Sequence, residues 1–290
     1  MSAQRFLVVV VVVLGSVGFC CTSCCNKQSD YAKPESFIRD ADTGAYYVSN
    51  VNGSTDNDGY ITKLDKDLKI VKQKFIEGTK AAPLDDPKGM AIVGDTLWVA
   101  DKKVMRAYNK ETGQSVAQIP LQQQGARFLN GVEAGPDGLV FVSDMDANIL
   151  YSINTKENNA VEVIARGIEL NQPNGLYWDE ENKLLYVACW RTGSGRILTV
   201  DAEGTIATYV EDTAKFENLD GIDGDGEGNL YVSDYTKGIV YRVTPAKQIE
   251  TVTDKVKTPA DIHVDRPNKR LLIPQFTANK ISTHDLTKDQ

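Results

Sequence analysis

Pro173 to Trp190 reads PNGLYWDEENKLLYVACW, and five other segments of the chain repeat its plan. A short x-G-Φ turn (Φ apolar) leads into a strand. A polar turn follows, then a β-rich run that ends on a polar residue. The copies are PESFIRDADTGAYYVSN from Pro34, PKGMAIVGDTLWVAD from Pro87, LNGVEAGPDGLVFVSD from Leu129, LDGIDGDGEGNLYVSD from Leu219 and PADIHVDRPNKRLLIPQ from Pro259. Six copies of one supersecondary unit predict a repeat architecture before any single residue is weighed.

The second residue of each copy is Glu35, Lys88, Asn130, Asn174, Asp220 and Ala260, at intervals of 53, 42, 44, 46 and 40 residues. A period of about 40–50 residues with several short strands per unit belongs to β-propeller blades. The expected fold is all-β, a six-bladed propeller of four-stranded antiparallel blades. The innermost strand of each blade meets the central channel, so equivalent positions form a ring facing one axial point.

The second strands read YYVSN, LWVAD, VFVSD, LYVAC, LYVSD and LLIPQ. Their polar ends, among them Asp101, Asp144 and Asp234, are expected to accept hydrogen bonds from backbone N–H groups of the following turn, a structural role. The final copy offers three strands before the chain stops. A propeller closes such a gap by borrowing a strand from the other terminus, so residues around Ser29 to Lys33 are expected to pair with the last blade.

Composition fits one globular domain. Apolar residues make up 41% and charged residues 25% of the 290, and the net charge is −8. No Lys/Arg cluster exists to neutralise phosphates, which argues against nucleic acid as a partner. Residues 1–25 stand apart as a leader, with Arg5 followed by an apolar run from Phe6 to Leu14 and then small residues. That is a secretory signal, too short for a membrane span. Cys20, Cys21, Cys24 and Cys25 follow at once, and the arrangement resembles a bacterial lipoprotein signal with lipid attachment at Cys24 or Cys20. The expected location is a bacterial periplasm or cell surface, with residues 26–290 as a monomeric propeller held to the membrane by its lipid alone. The fifth cysteine, Cys189, lies too far away for a C-x-x-C site.

The chemistry is expected in the axial ring. Glu35 and Asp220 supply carboxylates, and Asn130 and Asn174 supply amide oxygens. Oxygen donors without His or Cys suit a hard divalent cation, Ca²⁺ foremost, with Mg²⁺, Mn²⁺ or Zn²⁺ as alternatives. Such an ion polarises a carbonyl and acidifies water. Lys88, Arg127, Trp190, Arg191 and Tyr235 are candidates for substrate contact at the same mouth. Asn52 to Tyr60, NGSTDNDGY, has the look of a calcium loop but lacks the downstream Glu, and reads as a solvated loop. His263 and His284 lie in final-blade strands and read as structural.

The motifs NGLYW at Asn174 and LDGIDGDGEGNLYVSD at Asp220, with Glu35 in PES and Asn130 in LNG, resemble the senescence-marker-protein/gluconolactonase (regucalcin-like) family. The resemblance spans about residues 34–286. It implies one divalent metal bound by Glu35, Asn130, Asn174 and Asp220, with Asp220 as base toward water and a sugar lactone or related ester as substrate. Three features depart from the family pattern: Lys88 occupies a ring position, Arg127 precedes Asn130 by three residues instead of two, and the family's substrate-binding loops are not recognisable. An alternative from another class is a non-catalytic, NHL-like propeller that binds a protein, peptide or small ligand at the cell envelope.

Overall fold

The computed structural model describes residues 29–288; the leader and the cysteines at 20, 21, 24 and 25 lie outside them. Six antiparallel sheets follow one another along the chain, each meandering outward from an inner strand. The inner strands are Pro34–Arg39, Pro87–Val93, Leu129–Ala134, Pro173–Asp179, Leu219–Gly224 and His263–Asp265. The second strands are Tyr46–Asn50, Thr96–Asp101, Leu139–Asp144, Leu184–Cys189, Leu230–Asp234 and Arg270–Gln275.

Side chains alternate across each strand, and every blade is covered on both faces, so both sets of alternating residues are apolar. The core is accordingly divided into six wedges, one between each pair of neighbouring blades. Tyr47 and Ile61 of blade one meet Met90, Leu97 and Val99 of blade two. On the opposite face of the same blade, Phe37, Tyr46 and Val48 meet Leu272 of blade six. This last wedge closes the ring. Around it the Tyr46 hydroxyl donates to Asp265 at 2.7 Å, while Arg270 reaches Asp265 at 2.9 Å and the Tyr46 oxygen at 2.6 Å.

Five sheets have four strands and the sixth has three among the described residues. The N-terminal segment meets the last blade, but not as the expected fourth strand. Ser29 Oγ donates to the Asn279 carbonyl, and the Lys33 N–H donates to Asn279 Oδ1 at 2.8 Å. The backbone carbonyls of Ala32 and Lys33 are instead taken by the N–H groups of Asn52 and Val51 in blade one. A left-handed φ of 49° at Lys33 turns the chain away from extension there. Closure near the axis comes from the next residues, where the Asp261 N–H donates to the Glu35 carbonyl at 2.9 Å.

The x-G-Φ segments are not turns. Gly131 and Gly175 lie inside inner strands, each where the register with the second strand shifts. Their missing Cβ permits neighbouring blades to touch at the axis. A Cβ on Gly131 would stand 2.2 Å from the Asn174 carbonyl oxygen, and one on Gly175 would stand 2.4 Å from that of Asp220. No side chain fits there.

Candidate active site

The second strands also hold the ring in place. Ser143 Oγ accepts the Gly131 N–H at 2.8 Å and donates to the Asn174 carbonyl at 2.6 Å. Ser233 Oγ accepts the Gly221 N–H at 2.9 Å and donates to the Ala260 carbonyl at 2.7 Å. The serine of the VSD pattern is thus a bridge between a ring residue's own blade and the ring residue of the next. The aspartate of the same pattern anchors loops, as expected, but its partners lie on both sides of the strand. Asp144 accepts N–H groups of Arg127 (2.6 Å) and Phe128 (3.1 Å) before the inner strand, and of Ala147 (2.8 Å) in the following turn. Asp234 is used alike, and Asp101 takes the N–H groups of Asp85 and Asp86 before the inner strand and Arg106 with its other oxygen.

Glu35, Lys88, Asn130, Asn174 and Asp220 converge on one axial cavity of about 170 Å³. All five are buried, with Asn174 at 2%, Glu35 at 3% and Asp220 at 4% relative exposure. Glu35 Oε2, Asp220 Oδ1 and Asn174 Nδ2 have no hydrogen-bond partner among the described residues. Buried acceptors left this way are costly and call for a partner. The Asn174 amide lies near Asp220 and favours its charged form, without reaching good hydrogen-bond geometry. Burial pushes the Asp220 carboxyl up to about 8, with Asp261 adding to the rise and Lys88 opposing it. Burial likewise holds Glu35 well above the usual carboxylate range, against the pull of Lys88.

Lys88 does not close an ion pair with either ring carboxylate. Its ammonium lies 3.5 Å from Asp86 Oδ1 and over the rings of Phe128 and Phe276, at 5.2 and 5.5 Å from their centroids. The acceptors of Glu35 and Asp220 therefore stay open. Among the described residues no three His, Cys, Asp or Glu side chains gather as metal ligands. The donor set that fits a cation is two carboxylates with two amides, which suits a hard ion.

Of the rim candidates, Trp190 and Tyr235 line the cavity, their rings 5.3 Å apart. Arg127 and Arg191 are exposed and lie outside its lining. Three wall residues escaped the sequence reading: Phe128, Met145 and Phe276. A signal for two of them was available. Met145, Trp190, Tyr235 and Phe276 are each the first residue after a second strand. Antiparallel pairing puts the end of that strand beside the start of the inner one.

The other end of the channel opens into a larger cavity, of about 340 Å³. Several of its polar groups pair with one another. Asp223 meets His263 Nδ1 and the Val264 N–H at 2.8 Å each, and Arg266 at 3.1 Å. Burial pushes the Asp223 carboxyl up, but His263 and Arg266 outweigh it and leave it below its ordinary value. Glu133 there accepts the Trp178 N–H at 3.3 Å. His263 lies in a final-blade strand, as expected, with its Nδ1 against Asp223. Asp58 in the Asn52–Tyr60 loop is likewise occupied, by the N–H groups of Gly53, Ser54 and Thr55. Cys189 is buried, its thiol pushed up to about 12 by that burial. At the ring, two buried carboxylate oxygens, Glu35 Oε2 and Asp220 Oδ1, stay open.

The fold and the ring define a six-bladed propeller with a carboxylate–amide axial site. The chain belongs to the SMP-30/gluconolactonase/LRE-like family, whose profile matches residues 34–267. Comparison with curated proteins found no match. Among solved structures, virginiamycin B lyase from Staphylococcus aureus superposes with a TM-score of 0.62 at 15% identity, covering 89% of this chain and 85% of that one. A chain of a nidogen/laminin complex gives 0.67 at 15%, covering 85% and 91%. A luciferin-regenerating enzyme gives 0.62 at 14%, covering 85% and 84%. At these identities the likeness is one of fold.

Proposed function

We propose that this protein is a divalent-metal-dependent hydrolase of a lactone or related ester, acting at the axial ring. The observation that carries the reading is the pair of buried, unpartnered acceptors, Glu35 Oε2 and Asp220 Oδ1, in one cavity with two amides. Glu35, Asn130, Asn174 and Asp220 would hold the ion, Ca²⁺ by preference, with Mg²⁺, Mn²⁺ or Zn²⁺ as competitors. When bound, a divalent ion there acts as a Lewis acid toward a carbonyl oxygen and makes nearby water more acidic.

The chain's own part is proton transfer and positioning. Asp220 accepts a proton from the water that attacks the carbonyl carbon. It returns that proton to the leaving oxygen as the C–O bond breaks, giving a carboxylic acid and an alcohol. The walls exclude bulk water, which strengthens each charge interaction inside. Family membership supports lactone chemistry, and the gluconolactonase in the family's name makes a sugar lactone the first substrate to consider.

The test is metal content and chelator-dependent melting of the purified protein, followed by a lactone screen. A bound divalent ion, a chelator-sensitive melting shift and hydrolysis, all lost in Asp220→Ala, support the reading. A metal-free protein indifferent to chelator overturns it and leaves an NHL-like binding propeller as the better reading. Lys88 in the ring is the observation that favours that second reading. We also propose export and lipid attachment at Cys24 or Cys20, tested by the mass of the mature N-terminal peptide.

A further inference from the structure

The cavity has two unlike halves. Its floor holds the polar ring, and its wall is Phe128, Met145, Trp190, Tyr235 and Phe276. Three of its side chains, Trp190, Tyr235 and Phe276, form one continuous aromatic surface. Trp190 meets Tyr235 at 5.3 Å, Tyr235 meets Phe276 at 6.1 Å, and the Lys88 ammonium sits over both Phe276 and Phe128. Beyond the floor, the wall side chains own only the Trp190 N–H, the Tyr235 hydroxyl and the weak sulfur acceptor of Met145, which takes the Asn130 amide at 3.9 Å.

A sugar lactone carries a hydroxyl on most ring carbons, and each one buried against this wall would lose water without gaining a partner. A flat apolar ring loses nothing and stacks on the aromatic faces. The volume of about 170 Å³ lies below the roughly 300–1,000 Å³ of pockets for drug-sized ligands. It suits one or two fused rings. We infer that the substrate is a compact lactone or ester with an apolar, aromatic body, its carbonyl directed to the ring and its flat face to the Trp190–Tyr235–Phe276 wall. The inference rests on the hydrolase reading for its reacting group, and on the wall alone for its body.

The experiment compares a benzo-fused six-membered lactone with a polyhydroxylated one on the full chain with Ca²⁺, each rate divided by its own uncatalysed rate. In parallel, calorimetry measures binding of the benzo-fused lactam, a non-hydrolysed isostere. Expected results are at least a hundredfold preference in kcat/KM for the benzo-fused lactone. Trp190→Ala and Phe276→Ala should each raise KM for it about tenfold with kcat and Ca²⁺ affinity little changed. Equal or better turnover of the polyhydroxylated lactone overturns the inference, as does a Trp190→Ala, Phe276→Ala double variant with unaltered KM. If neither lactone is hydrolysed, the hydrolase reading fails. The aromatic-body inference then stands if the lactam binds and the double variant weakens it, and falls if it does not bind.

Discussion

Ser143 of blade three donates its hydroxyl proton to the carbonyl of Asn174 in blade four, at 2.6 Å, while accepting the Gly131 N–H at 2.8 Å. One fully buried hydroxyl therefore fixes the spacing of two ring positions, Asn130 beside Gly131 and Asn174 across the seam. Ser143→Ala should cost about 1–3 kcal/mol, because it orphans a buried donor and a buried acceptor together. Urea unfolding should show it as a lowered midpoint with an unchanged m-value.

The glycines beside the ring make a second, steric prediction. Gly175→Ala puts a methyl 2.4 Å from the Asp220 carbonyl oxygen, where only backbone can give way. The expected loss is about 1–3 kcal/mol, the usual range for overpacking. Cation affinity should fall with it, since the strain lies on the backbone that carries Asp220. A variant as stable as the parent would mean that the blades separate at the axis more easily than their contact suggests.

Asp220 gives the protein a definite pH dependence. With its carboxyl at about 8 in the cation-free fold and near 3.8 at its ordinary value, the native state binds the extra proton between those limits. Stability from this group is fully present below about pH 4 and is lost as pH rises to about 8. Chelated protein should therefore melt lower at pH 8 than at pH 5, and Asp220→Asn should flatten that slope. Adding Ca²⁺ should restore stability chiefly at the alkaline end, where the carboxylate is free to bind it. Melting curves across this range, with chelator and with Ca²⁺, check all three.

Lys88 places a positive charge beside the same donors. Lys88→Met keeps an apolar stem against Phe128 and Phe276 and removes the charge. Cation affinity should rise about tenfold, the order of magnitude for one partly screened charge a few ångströms away. Titration calorimetry with Ca²⁺ measures it directly. An unchanged affinity would mean that the Asp86 contact already neutralises Lys88.

Both Asp101 and Arg106 are buried, and their 2.8 Å ion pair is a purely structural device. Arg106→Ala should cost about 3–5 kcal/mol by leaving the Asp101 carboxylate buried with its charge unmatched. Thermal melting should report the loss, and cation binding by the remaining folded protein should be unaffected.

The blade count, the strand order and the ring register of Glu35, Lys88, Asn130, Asn174, Asp220 and Ala260 were all legible in the sequence. Strand alternation and polar strand ends are local signals, and a repeat states them six times. What the ring residues touch was decided only by closure of the propeller. Lys88 met Asp86, Phe128 and Phe276 instead of a ring carboxylate. Glu35 Oε2 and Asp220 Oδ1 kept open acceptors because Lys88 turned to Asp86 and the Asn174 Nδ2 beside them reached no acceptor in good geometry. The wall required loops after four different second strands, carrying Met145, Trp190, Tyr235 and Phe276, to meet at one mouth. The glycines, read as turns, proved to be points where two backbones touch. Among the described residues, the N-terminal segment took its backbone partners from blade one and hydrogen-bonded blade six at Asn279. A one-dimensional pattern carries periodicity, because each strand's two faces follow from its own residues. Partners across a channel depend on distances between residues far apart in the chain, and only the folded structure sets those.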